Sequence, residues 1–271
     1  MQLSSTTYAQ FVAKIPDETF GQIVEWMRAA KQIVILTGAG ISTESGIPDF
    51  RGPKGLWTTN PDAEKTSTLQ HYVADREVRK RAWQNRLDSS MWTAKPNDGH
   101  VAIAELESRV ALHTLITQNI DGLHQQAGSS PKIIIEIHGT VLAAKCLACG
   151  WRGPMKPVLD RVRAGELDPV CEVCGGMLKS ATISFGENLV PADLMRSEQA
   201  AAGADLFLAV GTSLGVYPVA ALPATALDAG ARLVVLNGEP TPYDRHAHAV
   251  SRQPLGQILP ALNKALSNDF G

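Results

Sequence analysis

A carboxylate, an aromatic ring and a guanidinium stand in succession at Asp49-Phe50-Arg51. They follow a run of small residues, Gly38-Ala39-Gly40-Ile41-Ser42, which itself follows the apolar run Ile33–Leu36. A buried strand that ends in small residues lets backbone N–H groups approach a phosphate closely. Dinucleotide-binding folds continue into a third glycine, but this chain has Thr43 there. Reactive side chains beside a phosphate cradle therefore predict chemistry on the nucleotide itself.

His138 is the second candidate reactive group. It ends the apolar run Ile133–Ile137 and is followed by a glycine. A lone histidine in such a place is more often structural, but the polar ends of other strands are expected beside it. An imidazole pKa near neutrality then favours a general base. Five other histidines are interpreted as structural or surface residues, with His100 as a candidate helix cap; they are His71, His100, His113, His246 and His248.

All four cysteines fall in two Cys-x-x-Cys pairs, Cys146/Cys149 and Cys171/Cys174, with 21 residues between the pairs. Four thiolates in this pattern predict a closed tetrahedral zinc site. Because no coordination position stays open for water, the metal would be structural. Redox dithiols and disulfides are weaker alternatives. A nucleic-acid-binding zinc ribbon is another, but the segment between the pairs is not notably basic.

Apolar runs alternate with amphipathic segments along most of the chain, which predicts an α/β fold with a parallel sheet. The carboxyl ends of parallel strands meet at one crevice, where ligands bind. We therefore expect the polar strand ends Gly38, Gln118, His138, Gly211 and Asn237 to converge on one cleft. The predicted strands are Ile33–Leu36, Leu112–Ile116, Ile133–Ile137, Leu206–Val210 and Leu233–Leu236; the predicted helical stretches are Glu18–Ala30, Lys54–Lys95, His100–Ser108 and Pro157–Gly165.

Several of the polar residues also have a structural interpretation when each is taken alone. Their joint placement at the strand ends favours a site. Asn119 and Asp121 could cap helices, and Asp49 and Arg51 could form an ion pair. Two further groups could form turns, Gly211-Thr212-Ser213 and Asn237 with Glu239.

The formal net charge of −2 and the pI near 6.4 do not predict binding to nucleic acid or to an anionic membrane. No apolar run reaches the roughly 18 residues that a membrane span needs. The first residues lack the pattern of a secretion signal, and we expect a cytoplasmic protein. One basic cluster is interpreted as a solvated helix face, with a local basic surface as the alternative. Its members are Arg76, Arg79, Lys80, Arg81 and Arg86.

Together these motifs resemble the sirtuin (Sir2) family of NAD-dependent protein deacylases. The resemblance extends from about Ala30 to Leu262, and the order and spacing of the motifs make it specific. The motifs are GAGISTESGIPDFRG at 38–52, TQNIDGLH at 117–124, His138-Gly139, the two cysteine pairs, Phe185-Gly186-Glu187 and GTSLGVYP at 211–218.

The resemblance implies two parts within a single catalytic unit. The larger would be a Rossmann-like domain of residues 30–53, 96–143 and 180–271. The smaller would contain a helical insertion, residues 54–95, and a zinc ribbon, residues 144–179. NAD would lie as co-substrate in the cleft between them, and one structural zinc ion would be held by Cys146, Cys149, Cys171 and Cys174.

The resemblance also implies which residues carry the activity. The catalytic residues would be His138 and Asn119, and the peptide would lie between Phe185-Gly186-Glu187 and Gly215-Val216. Residues 50 and 51 would belong to a loop that covers NAD, and Leu255 would contact adenine. The full implied NAD site is Gly38, Ala39, Gly40, Ser42, Asp49, Phe50, Arg51, Gln118, Asn119, Ile120, Asp121, Gly211, Thr212, Ser213, Asn237, Glu239 and Leu255.

The implied reaction transfers the acyl group of an acylated lysine to ADP-ribose and releases nicotinamide, with His138 as base toward the ribose hydroxyls. Mono-ADP-ribosyl transfer on the same scaffold is the alternative, although it needs no base at that step. A nucleotide sensor, the third hypothesis, would not need His138 either. The expected partners are acylated proteins, without nucleic acid or membrane, and the oligomeric state is not predicted.

Three positions depart from the family pattern. Members that prefer acidic acyl groups carry Tyr-x-x-Arg in the helical insertion, where this chain has Trp83-Gln84-Asn85-Arg86 nearby. Ser184 is smaller than the residue usual before Phe185, and Gln253 replaces a usual glycine. These departures leave the acyl preference open.

Overall fold

The structure is a computed structural model that describes residues 17–49, 55 and 63–267. It contains two sheets with helices packed on them. The first elements along the chain are α1 (Asp17–Ala29), β1 (Ile33–Thr37), α2 (Ala63–Thr66), α3 (Leu69–Ala74), α4 (Arg76–Leu87), α5 (Asp98–Leu106), β2 (Leu112–Thr117), α6 (Leu123–Gln126) and β3 (Ile134–Glu136). They are followed by β4 (Gly139–Cys146), β5 (Arg152–Pro154), α7 (Met155–Arg163), β6 (Leu178–Thr182), α8 (Pro191–Ala202), β7 (Leu206–Val210), α9 (Leu222–Asp228), β8 (Arg232–Leu236), β9 (Ala249–Ser251) and α10 (Leu255–Ser267).

The larger sheet is parallel, with the strand order β3-β2-β1-β7-β8-β9. The chain builds the sheet outward from β1 in one direction through β2 and β3. It then returns to the other side of β1 and continues through β7, β8 and β9. This reversal makes the carboxyl ends of β1, β2 and β7 a topological switch point, where open α/β sheets bind ligands.

Both faces of this sheet are covered, which explains why its central strands are continuous apolar runs. Alternate residues of β1 point to opposite faces. Ile33 and Ile35 join a core with α1, α5 and α10, while Val34 and Leu36 join a core with α8 and α9. All five residues of β1 and of β7 are buried. Burial on both sides fixes the position of the strand ends.

The smaller sheet is antiparallel, with the order β5-β4-β6. Its apolar core combines Val158 and Leu159 of α7 with Cys146 and Cys171. Trp83 of α4 packs into the same cluster. α4 therefore packs on the cysteine-bearing segment, although Trp83 and Cys146 lie far apart in the sequence.

The predicted elements are confirmed for all five strands, whose observed ends differ from the predicted ones by no more than one residue. The predicted helices near 18–30, 100–108 and 157–165 are also present, each shifted by up to two residues. The described part of residues 54–95 is helical and irregular, as expected. The sequence analysis did not find β4, β5, β6 and β9 or the helices α8, α9 and α10.

The interpretation of the basic cluster as a solvated helix face is wrong for two of its members. Arg79 pairs with Asp168 at 3.1 Å, and both side chains are largely buried. Arg86 is half-buried and donates to the Ser180 hydroxyl at 3.3 Å. Sequence analysis predicts that a charged residue in a helix is solvated when its partner lies far away in the sequence. These two arginines instead attach α4 to the cysteine-bearing segment.

A membrane span is absent from the described residues, none of whose helices has the length and apolar character to cross a bilayer.

Candidate active site

A cavity of about 1100 Å³ opens beside the carboxyl ends of β1, β2 and β7. Most of the predicted site residues line it, so the expected convergence of strand ends is observed. The predicted residues on its wall are Gly38, Ala39, Gly40, Ser42, Asp49, Gln118, Asn119, Ile120, Asp121, His138, Phe185, Gly186, Glu187, Gly211, Thr212, Ser213, Val216, Asn237 and Glu239.

Four residues predicted for the NAD and peptide sites do not appear on that wall. Phe50 and Arg51 lie outside the described residues. Leu255 is buried behind the cavity, where its Cδ1 would lie 3.0 Å from a Cβ added to Gly211. Gly215 is next to the lining residue Val216 but does not itself line the cavity.

The glycines of the first motif allow two loops to touch. A Cβ on Gly38 would lie 2.8 Å from the Gly211 carbonyl oxygen, and one on Gly40 would lie 2.8 Å from the Gly211 Cα. Gly211 has a φ of +60°, and its own Cβ would lie 2.5 Å from the Ile41 nitrogen. Backbone bonds close the contact, with the Gly40 N–H donating to the Gly211 carbonyl at 2.8 Å. Glycine is therefore required on both sides of this approach.

A hydroxyl, an amide and a carboxylate are joined at the base of the cavity. The Ser42 hydroxyl donates to Asp121 Oδ2 at 2.8 Å and accepts from Asn119 Nδ2 at 3.1 Å. Asn119 also donates to the Gly38 carbonyl at 3.1 Å. The Asp121 Oδ1 accepts from the Leu123 N–H at 2.9 Å at the start of α6, but the N-cap residue of α6 is Gly122, so Asp121 is not the helix cap that its sequence position suggested. Ser42, Asn119 and Asp121 are all buried, and their orientation is fixed by these bonds.

His100 completes this group of residues, and the sequence analysis assigned it only a capping role. It caps α5 as predicted, since its Nδ1 accepts from the Asn97 N–H in a capping box. Its Nε2 lies 3.4 Å from the Ser42 hydroxyl. The Ser42 hydroxyl donates its only hydrogen to Asp121, so it can only accept from His100. The Nε2 atom of His100 must therefore carry the hydrogen. The Asn-x-x-His spacing signals the cap, but no local pattern signals the contact with Ser42.

A second buried histidine, His124, lies against the first, with ring centroids 4.9 Å apart. Its Nε2 is 3.0 Å from the Thr37 hydroxyl at the end of β1. Burial lowers the pKa of His100 to about 4, although Asp121 acts to raise it. Burial and the neighbouring His100 lower the pKa of His124 to about 3. Both rings are therefore neutral near pH 7.

His138 is half-buried on the cavity wall and has a defined tautomer. Its Nδ1 lies 3.1 Å from the Gln118 carbonyl oxygen. A carbonyl only accepts, so Nδ1 carries the hydrogen and Nε2 keeps a free lone pair. Burial lowers the pKa of His138, and the bond to Gln118 offsets part of this effect. A neutral imidazole in this tautomer is ready to accept a proton.

The segment predicted to bind a peptide forms part of the cavity rim. The Phe185 N–H donates to the Ser67 carbonyl and the Phe185 carbonyl accepts from the Leu69 N–H, both at 2.9 Å. Phe185 thus pairs with the chain before α3 as a parallel bridge. This edge of Phe185 is therefore occupied, and a further strand could not pair with it.

The four cysteines meet the geometric requirements of a zinc site. Their sulfur atoms lie within 4.8 Å of one another, and two of the separations are 3.6 and 3.8 Å. A tetrahedral site with Zn–S bonds of about 2.3 Å has sulfur atoms about 3.8 Å apart. A disulfide would bring two sulfur atoms to about 2.05 Å, so the disulfide alternative is not the arrangement observed. The four cysteines are not among the described residues that line the cavity.

Comparison with known proteins identifies the class to which this fold and this site belong. The family model described as "Sir2 family" matches residues 38–218, which is more than half of the chain. The chain belongs to the Sir2 family.

Individual relatives are similar over nearly the whole chain. "NAD-dependent protein deacetylase 2" of Streptomyces coelicolor is 51% identical over 234 residues, covering 86% of this chain and 97% of that protein. A solved Sir2 structure with a deacetylated p53 peptide and 3′-O-acetyl-ADP-ribose has a TM-score of 0.84 and 32% identity, covering 91% of this chain and 98% of the other. A Sir2 structure with p53 peptide and NAD⁺ has a TM-score of 0.81 and 32% identity, covering 90% and 97%.

Proposed function

We propose that this Sir2 family member is an NAD-dependent protein-lysine deacylase that transfers the acyl group of acyl-lysine to ADP-ribose. The observation that carries the proposal is His138, a neutral imidazole whose Nδ1 is held by the Gln118 carbonyl beside a cavity of about 1100 Å³. Cavities of about 300–1,000 Å³ accommodate drug-sized ligands, so this one has room for a dinucleotide together with a lysine side chain. Similarity to deacetylases over most of the chain supports the same reaction.

NAD, when bound, supplies an anomeric carbon from which nicotinamide can leave. We assign the binding residues from the walls of the cavity. The small residues Gly38, Ala39 and Gly40 and the Gly211-Thr212-Ser213 turn leave room for phosphates. The backbone at Ile120 and Asp121 is assigned to the nicotinamide carboxamide, and Asn119, which donates to the Ser42 hydroxyl, is assigned to a ribose. Gln118, which donates to the Thr212 hydroxyl at 2.9 Å, and Asn237 with Glu239 serve the riboses.

Other assignments of the NAD site rest on sequence position alone. Asp49 lines the cavity and precedes Phe50 and Arg51, which we assign to a loop over the cofactor. Leu255 stays the proposed adenine contact.

His138 is proposed as the general base. With Nδ1 committed to the Gln118 carbonyl, only Nε2 is available to remove a proton from a ribose hydroxyl. The same bond holds the ring in one orientation and stabilises the imidazolium that forms. The chain supplies no nucleophile of its own in this scheme, and its four thiols stand together as metal ligands. Asn119, fixed by two hydrogen bonds, is proposed to act with His138.

The acylated protein is proposed to bind as an extended strand between Phe185-Gly186-Glu187 and Gly215-Val216. One edge of the first segment is used by Ser67 and Leu69, so the peptide takes the opposite edge. Pairing of this kind uses the main chain and accepts many sequences. Exposed apolar groups at the rim, with Tyr217 73% and Phe185 39% exposed, offer contacts to the peptide side chains.

The zinc ion is proposed to be structural. Cys146, Cys149, Cys171 and Cys174 fill all four positions of a tetrahedral site, and they stand away from the cavity wall. When bound, the ion cross-links the two knuckles and stabilises the smaller sheet. Reduced thiols of this kind persist in a reducing compartment, which supports the proposed cytoplasmic location.

The division into parts is also a proposal. The helical stretch 54–95 and the cysteine segment 144–179 would form the smaller domain, supported by Trp83 in the cysteine core and by the Arg79–Asp168 pair. Residues 30–53, 96–143 and 180–271 would form the larger one around the parallel sheet.

One incubation tests the reaction. The protein is mixed with NAD and a panel of acyl-lysine peptides, and the products are analysed by mass spectrometry. We expect the deacylated peptide, nicotinamide and O-acyl-ADP-ribose in equal amounts. The alternative of mono-ADP-ribosyl transfer is not favoured. It would gain support only if NAD were consumed and ADP-ribose stayed on protein without the acylated product.

A further inference from the structure

The cysteine-bearing sheet carries two lysines directly opposite each other. Lys145 of β4 pairs with Lys179 of β6 in the antiparallel register, so both side chains leave the same face. Like charges opposite each other destabilise a sheet. Lys179 is also deeply buried, with 3% of its side chain exposed. A buried cation beside another cation requires an anion close by.

Glu187 brings that anion from outside the sheet. Its Oε2 accepts from Lys179 Nζ at 2.9 Å, and its Oε1 accepts from Lys145 Nζ. Oε2 also accepts from the Ser184 N–H at 3.0 Å. Lys179 Nζ donates in addition to the Thr182 carbonyl at 2.6 Å. Three donors therefore hold one carboxylate, which fixes both oxygen atoms.

Both partners are charged near neutral pH. Burial lowers the pKa of Lys179 to about 8, and the charge of Glu187 offsets part of this effect. Burial acts to raise the pKa of Glu187, but hydrogen bonds from Lys145 and Ser184 and the charge of Lys179 lower it below its usual value. The contact is thus a partly buried ion pair and not a neutral hydrogen bond.

Glu187 ends the segment Ser184–Glu187. This segment follows β6 and Ile183, whose N–H donates to the His138 carbonyl at 2.8 Å. The Glu187 N–H donates to the Ser184 carbonyl at 2.9 Å across a tight turn in which Gly186 has a φ of +78°. Phe185 fastens the other side to Ser67 and Leu69. The Glu187 carboxylate thus connects this turn to the cysteine-bearing sheet.

We propose that Glu187, held by the cross-strand pair Lys145 and Lys179, is a positioning residue that fixes the Ser184–Glu187 segment in the geometry that receives the acylated peptide. Its carboxylate acts through the segment and does not contact the acyl group. The inference rests on the proposed function, in which this segment forms one edge of the peptide site. It predicts an effect on peptide binding and not on NAD.

Glu187→Gln tests the role, because glutamine keeps the length of the side chain and removes the charge. We expect the KM for acyl-peptide to rise about tenfold, as for the loss of one charge-assisted hydrogen bond. The kcat and the KM for NAD should stay within about twofold, since neither reports ordering of the segment. Fluorescence anisotropy of a labelled acyl-peptide should show the same weakening, and hydrogen exchange at residues 184–187 should accelerate.

Lys179→Met should change the peptide KM in the same direction, and the double variant should fall clearly short of the sum of the two single effects, because both variants remove the Lys179–Glu187 contact. Lys145→Met, at a more exposed position, should raise the peptide KM by about threefold and keeps the test available if Lys179→Met does not fold. Lys156→Met is the matched control. The ion pair of Lys156 with Asp160 is exposed on α7, which packs in the same core as the cysteines. The variant should therefore leave kcat and both KM values unchanged.

An unchanged peptide KM in Glu187→Gln and Lys145→Met would overturn the proposal. So would a loss of kcat at unchanged KM, which would make Glu187 a catalytic group, or effects of Glu187 and Lys179 that add. Failure of the proposed function looks different. In that case the wild-type chain makes no O-acyl-ADP-ribose. Hydrogen exchange at residues 184–187, compared between wild type and Glu187→Gln, still tests whether the Glu187 carboxylate holds the segment.

Discussion

Three histidines of the same chain have three different tasks because their surroundings differ. His138 keeps Nε2 free at a cavity wall, His100 spends both nitrogens on Asn97 and Ser42, and His124 is held by Thr37. Burial lowers the pKa of each of them. A lowered pKa therefore does not identify a base by itself. The base is the histidine whose remaining lone pair has access to a ligand.

Replacement of His138 tests its role directly. His138→Ala removes the only base that we assign, so kcat for deacylation should fall by about 10²–10⁴-fold. NAD affinity, measured by calorimetry, should change little, because the contact of Gly40 with Gly211 and the bond of Asn119 to Ser42 do not involve the imidazole. His246→Ala, at an exposed position, is the control and should behave as wild type. Substantial turnover in His138→Ala would contradict the assignment.

The two buried histidines predict a loss of stability in mild acid. Their pKa values are about 4 and about 3 in the folded state, against about 6.5 when unfolded. The stability that they contribute is complete above pH 6.5 and is lost as the pH falls toward 4, because only the unfolded chain takes up the protons. Each contributes a slope of up to about 1.4 kcal/mol per pH unit.

Urea unfolding between pH 7.5 and 5 measures this slope. Carboxylates with ordinary pKa values contribute little in that interval. Because burial also lowers the pKa of His138, three histidines contribute to the slope. His100→Asn, which keeps a polar group in place, should reduce the slope by about a third. A free energy of unfolding that does not change between pH 7.5 and 5 would contradict the prediction.

At the scale of elements, the site is formed where the loop after β1 contacts the loop after β7. The turn after β1 and the turn after β7 meet through Gly40 and Gly211, with no side chain between them. Gly40 itself belongs to the short 3₁₀ helix Ala39–Ser45, which begins directly after Gly38. The glycines thus serve contact between the loops, which adds a structural reason to the phosphate cradle read from the sequence.

Gly40→Ala tests this loop contact. The added Cβ would lie 2.8 Å from Gly211 atoms, a distance that forces one loop to move. We expect the free energy of unfolding to fall by about 1–3 kcal/mol and NAD affinity to weaken as the turn is displaced. Gly21→Ala is the matched control, since nothing lies within 4 Å of its Cβ in α1, and it should stabilise by up to about 1 kcal/mol. Equal behaviour of the two variants would contradict the role of the contact.

At the scale of the whole molecule, the sequence predicts what is local and misses what is distant. Buried runs such as Leu206–Val210 predict strands because both faces of the sheet are covered. The cysteine pairs predict their cluster because the spacing itself carries the signal. Arg79, in contrast, reads as a solvated cation because its partner Asp168 lies 89 residues away. The contact of His100 with Ser42 is hidden for the same reason, with 58 residues between them.

The smaller sheet, the lysine pair and the peptide segment form one connected unit, so zinc should influence peptide binding from outside the cavity. Cys146 ends β4 directly after Lys145, and Leu178 opposite it precedes Lys179. Loss of the metal frees both knuckles and should loosen the register that holds Glu187. The larger sheet, with its own two cores, should retain its fold.

Removal of zinc should therefore weaken peptide binding more than NAD binding. We expect about one zinc ion per chain by elemental analysis. After chelation under reducing conditions, acyl-peptide affinity should fall at least about tenfold, while NAD affinity, measured in parallel by calorimetry, should change less. Added zinc should restore both the affinity and slow hydrogen exchange at residues 184–187. A metal-free chain that folds and turns over normally would contradict the structural role of the ion, and equal losses for peptide and NAD would contradict the route through Lys145, Lys179 and Glu187.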